Sequence, residues 1–418
     1  MNSFFKRIWI LMLSIGPGIF CIGYTIGTGS VTSMAKAGSE FGMQLLWVLS
    51  LSVFFAWILM EAYGRYAVVT GDTAIHSIRK KIKFGNPLAL IIVFGVIAAQ
   101  WTALSGLLGL TSNTLFELFH LFFPGTSPEN YWAVLGIAIF LIVSLYSMLL
   151  VGEYSFFEKI LVIFVSIMGV SFIISMFIVL PPASEIIGGF VPSIPQVPGA
   201  KLMVAAFVGT TMAGPTFIVR PLLMKGKGWG KENTREQSRD ALSAAVLMFI
   251  VSATIMVTAT GALFYEGKVI NRVLDMVYTL EPLVGQFAVA IFVVGVMSAG
   301  LSSIFPILMV APLLIADYRK GVLDTKSGLF RILTAIAALL GLTVPILGAN
   351  PIVAQIVTQV TGVFVLPFII AVIFVLINSK TEMGRHKAGV FLNCGLIGAF
   401  IFACFIAYTG IIALNQFF

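Results

Sequence analysis

Gly16-Pro17-Gly18-Ile19-Phe20-Cys21-Ile22-Gly23-Tyr24-Thr25-Ile26-Gly27-Thr28-Gly29-Ser30 reads as an apolar helix that cannot stay helical to its end. A glycine inside a helix costs about 1 kcal/mol relative to alanine. Here Gly27 and Gly29 flank Thr28 near the middle of an apolar stretch covering roughly 7–36. Local unwinding is expected, with Ser30, Thr32 and Ser33 capping a second half-helix. A second stretch repeats the pattern: Gly209-Thr210-Thr211-Met212-Ala213-Gly214-Pro215-Thr216. Proline lacks the amide hydrogen and clashes with the preceding turn, so Gly214-Pro215 marks a break. Pro221 adds a kink beside Arg220.

The rest of the chain places both breaks in a membrane. Of 418 residues, 59% are hydrophobic and 10% charged. Soluble domains carry roughly 25% charge. Mean hydropathy is +1.06. A water-soluble globule is excluded. Glycine and proline are scattered rather than periodic, which excludes disordered and collagen-like chains. Cys21, Cys394 and Cys404 lie in apolar runs, where small buried residues are expected rather than a disulfide or zinc framework. His76, His120 and His386 stand apart at loops or helix ends, so no metal site and no cofactor is expected.

A spanning helix needs about 20 mostly apolar residues. Eleven stretches qualify, near 7–36, 42–69, 87–111, 131–151, 158–180, 200–224, 239–264, 281–316, 328–347, 351–378 and 388–416. The first has no small-residue cleavage site and is not read as a signal peptide. Alternate connections are basic. One set holds Lys6 and Arg7; Arg79, Lys80, Lys81 and Lys83; Lys159; Lys225, Lys227, Lys231, Arg235 and Arg239; Arg319, Lys320 and Lys326; and Lys380, Arg385 and Lys387. The opposite set holds Lys36, Lys201, Lys268 and Arg272. The positive-inside rule then predicts a multi-pass protein of the cell's inner (plasma) membrane, N-terminus cytoplasmic and C-terminus outside. The net charge of +8 follows from this topology and not from a nucleic-acid surface.

The broken spans are the first and the sixth. That spacing predicts an all-α membrane domain over 1–418 built as an inverted repeat, 7–180 against 200–378, with an extra helix at 388–416. Paired broken helices are the best sequence pointer to a transporter's binding site. Freed carbonyls can hold cations and half-helix N-termini can hold anions. Kinks that serve only close helix packing are the alternative. The candidate substrate-binding residues are Ile26, Gly27, Thr28, Gly29 and Ser30 with Thr210, Thr211, Met212, Ala213, Gly214 and Pro215.

Several pieces, in order, resemble the Nramp family of proton-coupled divalent-metal transporters. They are Gly16-Pro17-Gly18 through Gly23-Tyr24, Phe41-Gly42 through Leu45-Leu46-Trp47, and Arg65 with Val68-Val69-Thr70-Gly71. Glu158-Lys159, Arg239-Asp240-Ala241, Ser298-Ala299-Gly300-Leu301-Ser302-Ser303, and Gln359-Val360 with Leu366-Pro367-Phe368 continue the series. The resemblance implies the leucine-transporter-like 5+5 inverted repeat. It does not carry over the family's metal site. The family's Asp-Pro-Gly-Asn is Ile26-Gly27-Thr28-Gly29 here, and its Met-Pro-His is Ala213-Gly214-Pro215. Met212 is one position off, and the tenth-helix glutamine is Val365. A dehydrated dication wants anionic or soft ligands. The hydroxyls of Thr28, Ser30, Thr210 and Thr211 offer oxygen without charge. Proton coupling loses its aspartate and histidine as well, and Ile91 to Leu110 of the third span holds no ionisable residue.

Other polar groups in the spans are few. Glu61 and Arg65 are four apart, as a structural ion pair or as a gate or relay. Arg220 is read as snorkelling to the inner surface, with a gate or an anion contact as alternatives. Glu153 and Glu158 are read as interfacial and Asp317 as a solvated helix end. Gln100, Gln355 and Gln359 either line a cavity or join helices, with Gln359 favoured as lining.

The leading expectation is a secondary active transporter working by alternating access, with a remodelled site that does not bind transition-metal dications. A monomer in the lipid bilayer, carrying an ion or small molecule, is expected. Alternatives are a divalent-metal transporter with a non-standard site, a carrier of a small organic solute such as an amino acid, and a non-transporting sensor or scaffold. A channel would lack a ring of pore residues, and no nucleophile–base pair supports an enzyme.

Overall fold

The computed structural model describes residues 16–82, 84–123, 130–150, 154–271, 275, 281–320 and 326–417. Lys6, Arg7, Lys83, Glu153 and Arg272 lie outside the described residues, as does the side chain of Glu158. Among the described residues only helices and connections occur. Nine segments of the described residues are long and apolar enough to cross a membrane. Of the other two expected spans, the first is cut into short half-helices and Val162–Ile178 is a shorter apolar helix.

The first span is α1 (Gly16–Thr25) and α2 (Thr28–Phe41). Then come α3 (Leu46–Thr70), the short connecting helix α4 (Ala74–Lys81), α5 (Gly85–Phe122), α6 (Tyr131–Leu150) and α7 (Tyr154–Ile178). The sixth span is α8 (Ala200–Thr211) and α9 (Gly214–Gly226). It is followed by α10 (Thr234–Leu263), α11 (Glu281–Lys320) and α12 (Gly328–Gly341). The tenth span is α13 (Pro351–Val363) and α14 (Leu366–Asn378), and α15 (Val390–Phe417) closes the chain.

Burial sorts these helices. The broken segment Ala200–Gly226 is 94% buried over its most apolar window, whereas Tyr131–Leu150 is 28% and Val390–Gln416 33% buried. The broken helices therefore form the centre, and α6 and α15 face the lipid side. α11 packs on α5 and α7, α10 on α2 and α3, and α13 on α5 and α8. Cys21 is buried as expected, but Cys394 and Cys404 are exposed because α15 is an outer helix.

Three further expectations need correction. The tenth span is not continuous: Phe364 and Val365 separate its halves, and Pro367, at the start of α14, has no amide to offer the preceding turn. α5 continues past Leu110 to Phe122 and so carries a buried carboxylate, Glu117, whose Oε2 has no partner. Asp317 is not a solvated end. It is 0% exposed, because α4 folds beneath α11 and Thr73 donates to its Oδ1 at 2.5 Å.

Candidate functional site

The first break is two residues long. Gly27, the N-cap of α2, is extended at φ −95° and ψ −176°, with no side-chain cap. The expected capping by Ser30, Thr32 and Ser33 does not occur, because Gly27 already holds the cap position and these hydroxyls lie inside the helix. Thr32 donates back to the Thr28 carbonyl at 2.7 Å, and Ser33 donates to Gln359 Oε1 at 2.8 Å. The second break is Met212-Ala213, with Pro215 in the first turn of α9 where a missing amide costs nothing.

The two breaks are stitched together. Thr210 Oγ1 donates to the Thr25 carbonyl at 3.2 Å, and the hydroxyls of Thr25 and Thr216 lie 3.2 Å apart. Ser303 of α11 donates to the Gly23 carbonyl at 2.6 Å. Between them is a cavity of about 40 Å³. The first span lines it with Tyr24, Thr25, Gly27, Gly29 and Ser30, and the sixth with Gly209, Thr210 and Ala213. Gln100, Ser303, Gln355, Thr358 and Gln359 add polar side chains, and Ala103, Leu107 and Ile307 add apolar ones. Ile26, Thr28, Thr211, Met212, Gly214 and Pro215 belong to the breaks but do not line the cavity; all six are buried.

Close approach explains the glycine at 29. A Cβ there would strike the side-chain amide nitrogens of Gln355 and Gln359. At Gly209 it would strike the backbone carbonyl of Gln359 instead.

The wall carries no charged side chain among the described residues and is incompletely bonded. On the wall the hydroxyls of Tyr24 and Ser30 and Oε1 of Gln355 are buried without a partner, as are the hydroxyls of Thr28 and Thr211 beside it. Leaving such a group unsatisfied costs about 1–3 kcal/mol. A cluster of them marks a place that water or a ligand completes. A water needs roughly 10–15 Å³ of such space, so the cavity admits a few waters or one small ion. Among the described residues, no three His, Cys, Asp or Glu side chains are grouped to hold a metal ion.

The charged candidates lie in a separate network. Arg220 does not snorkel. It is 0% exposed, and its guanidinium bonds to both α3 and α10. It donates to Asp240 Oδ2 at 2.7 Å, to the Met60 carbonyl at 2.7 Å and to the Gln237 carbonyl at 3.0 Å. Asp240 Oδ1 accepts from the Gly18 amide at 3.1 Å, which ties in α1. Gln237 Nε2 donates to Glu61 Oε2 at 2.7 Å, and Arg65 Nη2 to Glu61 Oε1 at 2.5 Å. Glu61 and Arg65 thus form the i,i+4 pair, linked through Gln237 to Arg220. Sequence reasoning missed Asp240, Gln237 and Ser303 as members of these sites. The available signal was Asp240 itself, an acid in an apolar span.

Residues 18–413 match the family model for natural resistance-associated macrophage protein-like proteins, Nramp. The divalent metal cation transporter MntH of Caldanaerobacter subterraneus is 25% identical over 381 residues, covering 88% of this chain and 85% of that protein. MntH of Verminephrobacter eiseniae is 22% identical, covering 98% and 90%. In structure, the chain resembles the manganese transporter of Eremococcus coleocola in complex with an aromatic bis-isothiourea substituted compound, with TM-score 0.72, 14% identity, and 100% and 88% of the two chains covered. It also resembles MhsT in complex with L-phenylalanine, with TM-score 0.64, 17% identity, and 97% and 98% covered. The fold is the expected leucine-transporter-like one. With the family model spanning nearly the whole chain, the protein belongs to the Nramp family of membrane transporters.

Proposed function

We propose that this protein is an alternating-access carrier whose central site has been rebuilt from neutral ligands, and that it does not bind transition-metal dications in the manner its relatives' names describe. The observation that carries this reading is the wall of the central cavity. It offers hydroxyls and carboxamides beside the apolar Ala103, Leu107 and Ile307, and five polar atoms on or beside it lack partners. Among the described residues, no carboxylate, imidazole or thioether lines it. Neutral oxygens balance a single positive charge far better than two, because burying an uncompensated charge is costly. The cavity size favours a small ion or a molecule of a few heavy atoms over an amino acid in this conformation. The single domain spans 1–418, with repeats 7–180 and 200–378, N-terminus cytoplasmic in the inner (plasma) membrane; basic connections on one side support that orientation.

The inner end is held by Arg220, Asp240, Gln237, Glu61 and Arg65, which bridge α1, α3, α9 and α10. Rocking one bundle against the other must break such ties. A second reading is a divalent-metal carrier in which Met212 moves into the cavity. It is favoured by the relatives' names and by the position of Met212 in the break.

The test is uptake into proteoliposomes. Manganese uptake should stay at the level of empty vesicles under an inward proton gradient. Saturable manganese uptake would overturn the neutral-site reading and support the second one.

A further inference from the structure

A second cavity lies away from the helix breaks, between α3, α10 and α15. It is a groove of about 400 Å³. Trp57, Ile58, Leu242, Phe391 and Leu392 form its apolar body. Arg65, Arg235 and Arg239 stand at its polar end with Glu61 and Ser238. These residues come from the second half of α3 and the first turns of α10 and α15, the end that the basic connections share.

The charge of the groove is unbalanced. Glu61 is its only acid among the described residues, and it is already spent on Arg65 and Gln237. Arg235 and Arg239 are exposed and have no ion-pair partner among the described residues. Three arginines against one glutamate leave two positive charges at the head of an apolar slot. Ile58 and Leu392 are buried at its floor, while the apolar side chains at its rim are exposed: Leu242 is 48% exposed, Val246 47%, Val390 82% and Phe391 63%. On a membrane helix such a surface faces acyl chains. The occupant must therefore sit in the bilayer, bring an anion at one end and lay an apolar chain along Trp57 and Phe391.

We propose that this groove binds one anionic phospholipid of the inner leaflet, its phosphate held by Arg235 and Arg239 and an acyl chain running along Trp57 and Phe391. Guanidinium forks match phosphate oxygens, and basic pockets between spanning helices on the cytoplasmic side take anionic headgroups. Because Glu61 lines the groove and also belongs to the Arg220 network, the lipid sits against the same ties that hold the inner end closed.

The test is native mass spectrometry of the full-length protein released from micelles that contain phosphatidylglycerol and phosphatidylcholine with the same chains. One phosphatidylglycerol should stay bound in preference to phosphatidylcholine by about tenfold. Arg235→Gln with Arg239→Gln should lose most of that preference. Both side chains are exposed, so circular dichroism should match the wild type. Millimolar inorganic phosphate should not displace the lipid. Brominated-chain phosphatidylglycerol should quench a fluorescence component that Trp57→Phe removes. Equal retention of the two lipids, an unchanged preference in the double variant, displacement by phosphate, or no quenching of Trp57 would each overturn the assignment.

Discussion

The Arg220 guanidinium donates to the Asp240 carboxylate at 2.7 Å, and the two side chains are 0% and 2% exposed. They lie twenty positions apart on α9 and α10, and Asp240 reaches on to the Gly18 amide of α1. One buried ion pair thus ties a half-helix of the first span to a half-helix of the sixth. Such a pair contributes little net stability when intact, but removing one partner strands a buried charge.

Asp240→Asn should therefore loosen the Gly18 end of α1. Cys21 is the natural reporter, because it is buried and its Sγ lies 3.5 Å from the Thr216 carbonyl. With Cys394 and Cys404 changed to serine, wild-type Cys21 should resist a membrane-permeant maleimide, and Asp240→Asn should label several-fold faster. Asp240→Ala should also cost about 3–5 kcal/mol of stability in denaturant unfolding. Equal labelling in both proteins would remove the network's role as a tie on α1.

The two glycines at the cavity should separate function from folding. Gly29→Ala meets the free ends of two glutamine side chains, which can swing aside, so the fold should persist while the cavity closes. Gly209→Ala meets a backbone carbonyl, which cannot. Thermal unfolding should leave Gly29→Ala near wild type and lower Gly209→Ala by an amount matching about 1–3 kcal/mol of overpacking. Unaltered uptake of the true substrate by Gly29→Ala would move the site away from the breaks.

How much of this was legible follows from where the signals lie. Both central breaks could be read because Gly27, Gly29, Gly214 and Pro215 act through local backbone chemistry. The third break, at Phe364-Val365, was hidden although Pro367 is equally local, because the run from Pro351 to Asn378 is apolar enough to pass for one span. Glu117 was missed because α5 is 38 residues long, well beyond the length needed to cross. Arg220 and Asp317 were misread for a different reason. Each is covered by an element distant in sequence: α3 and α10 around Arg220, α4 beneath Asp317. Hydropathy gives no sign of such cover. Ser303 likewise joins the cavity only through packing of α11.

His76, on α4 outside the spans, gives a pH dependence. Burial is the largest cause holding its imidazole below the ordinary value of 6.5, and its Nδ1 has no partner. The folded state then binds its proton less readily than the unfolded state, so stability is full above 6.5 and falls as pH drops below it. Thermal unfolding midpoints should decline on that acidic side, and His76→Gln should flatten the decline. An unchanged slope in that variant would remove His76 as its source.

The claim at the centre is that a cavity whose polar groups are neutral hydroxyls and carboxamides has no grip on a transition-metal dication. Isothermal titration of the purified protein with manganese tests it most directly. No binding heat at concentrations up to the millimolar range is expected. Saturable binding at micromolar affinity would contradict the account and show that Met212, or other ligands, rebuild a metal site.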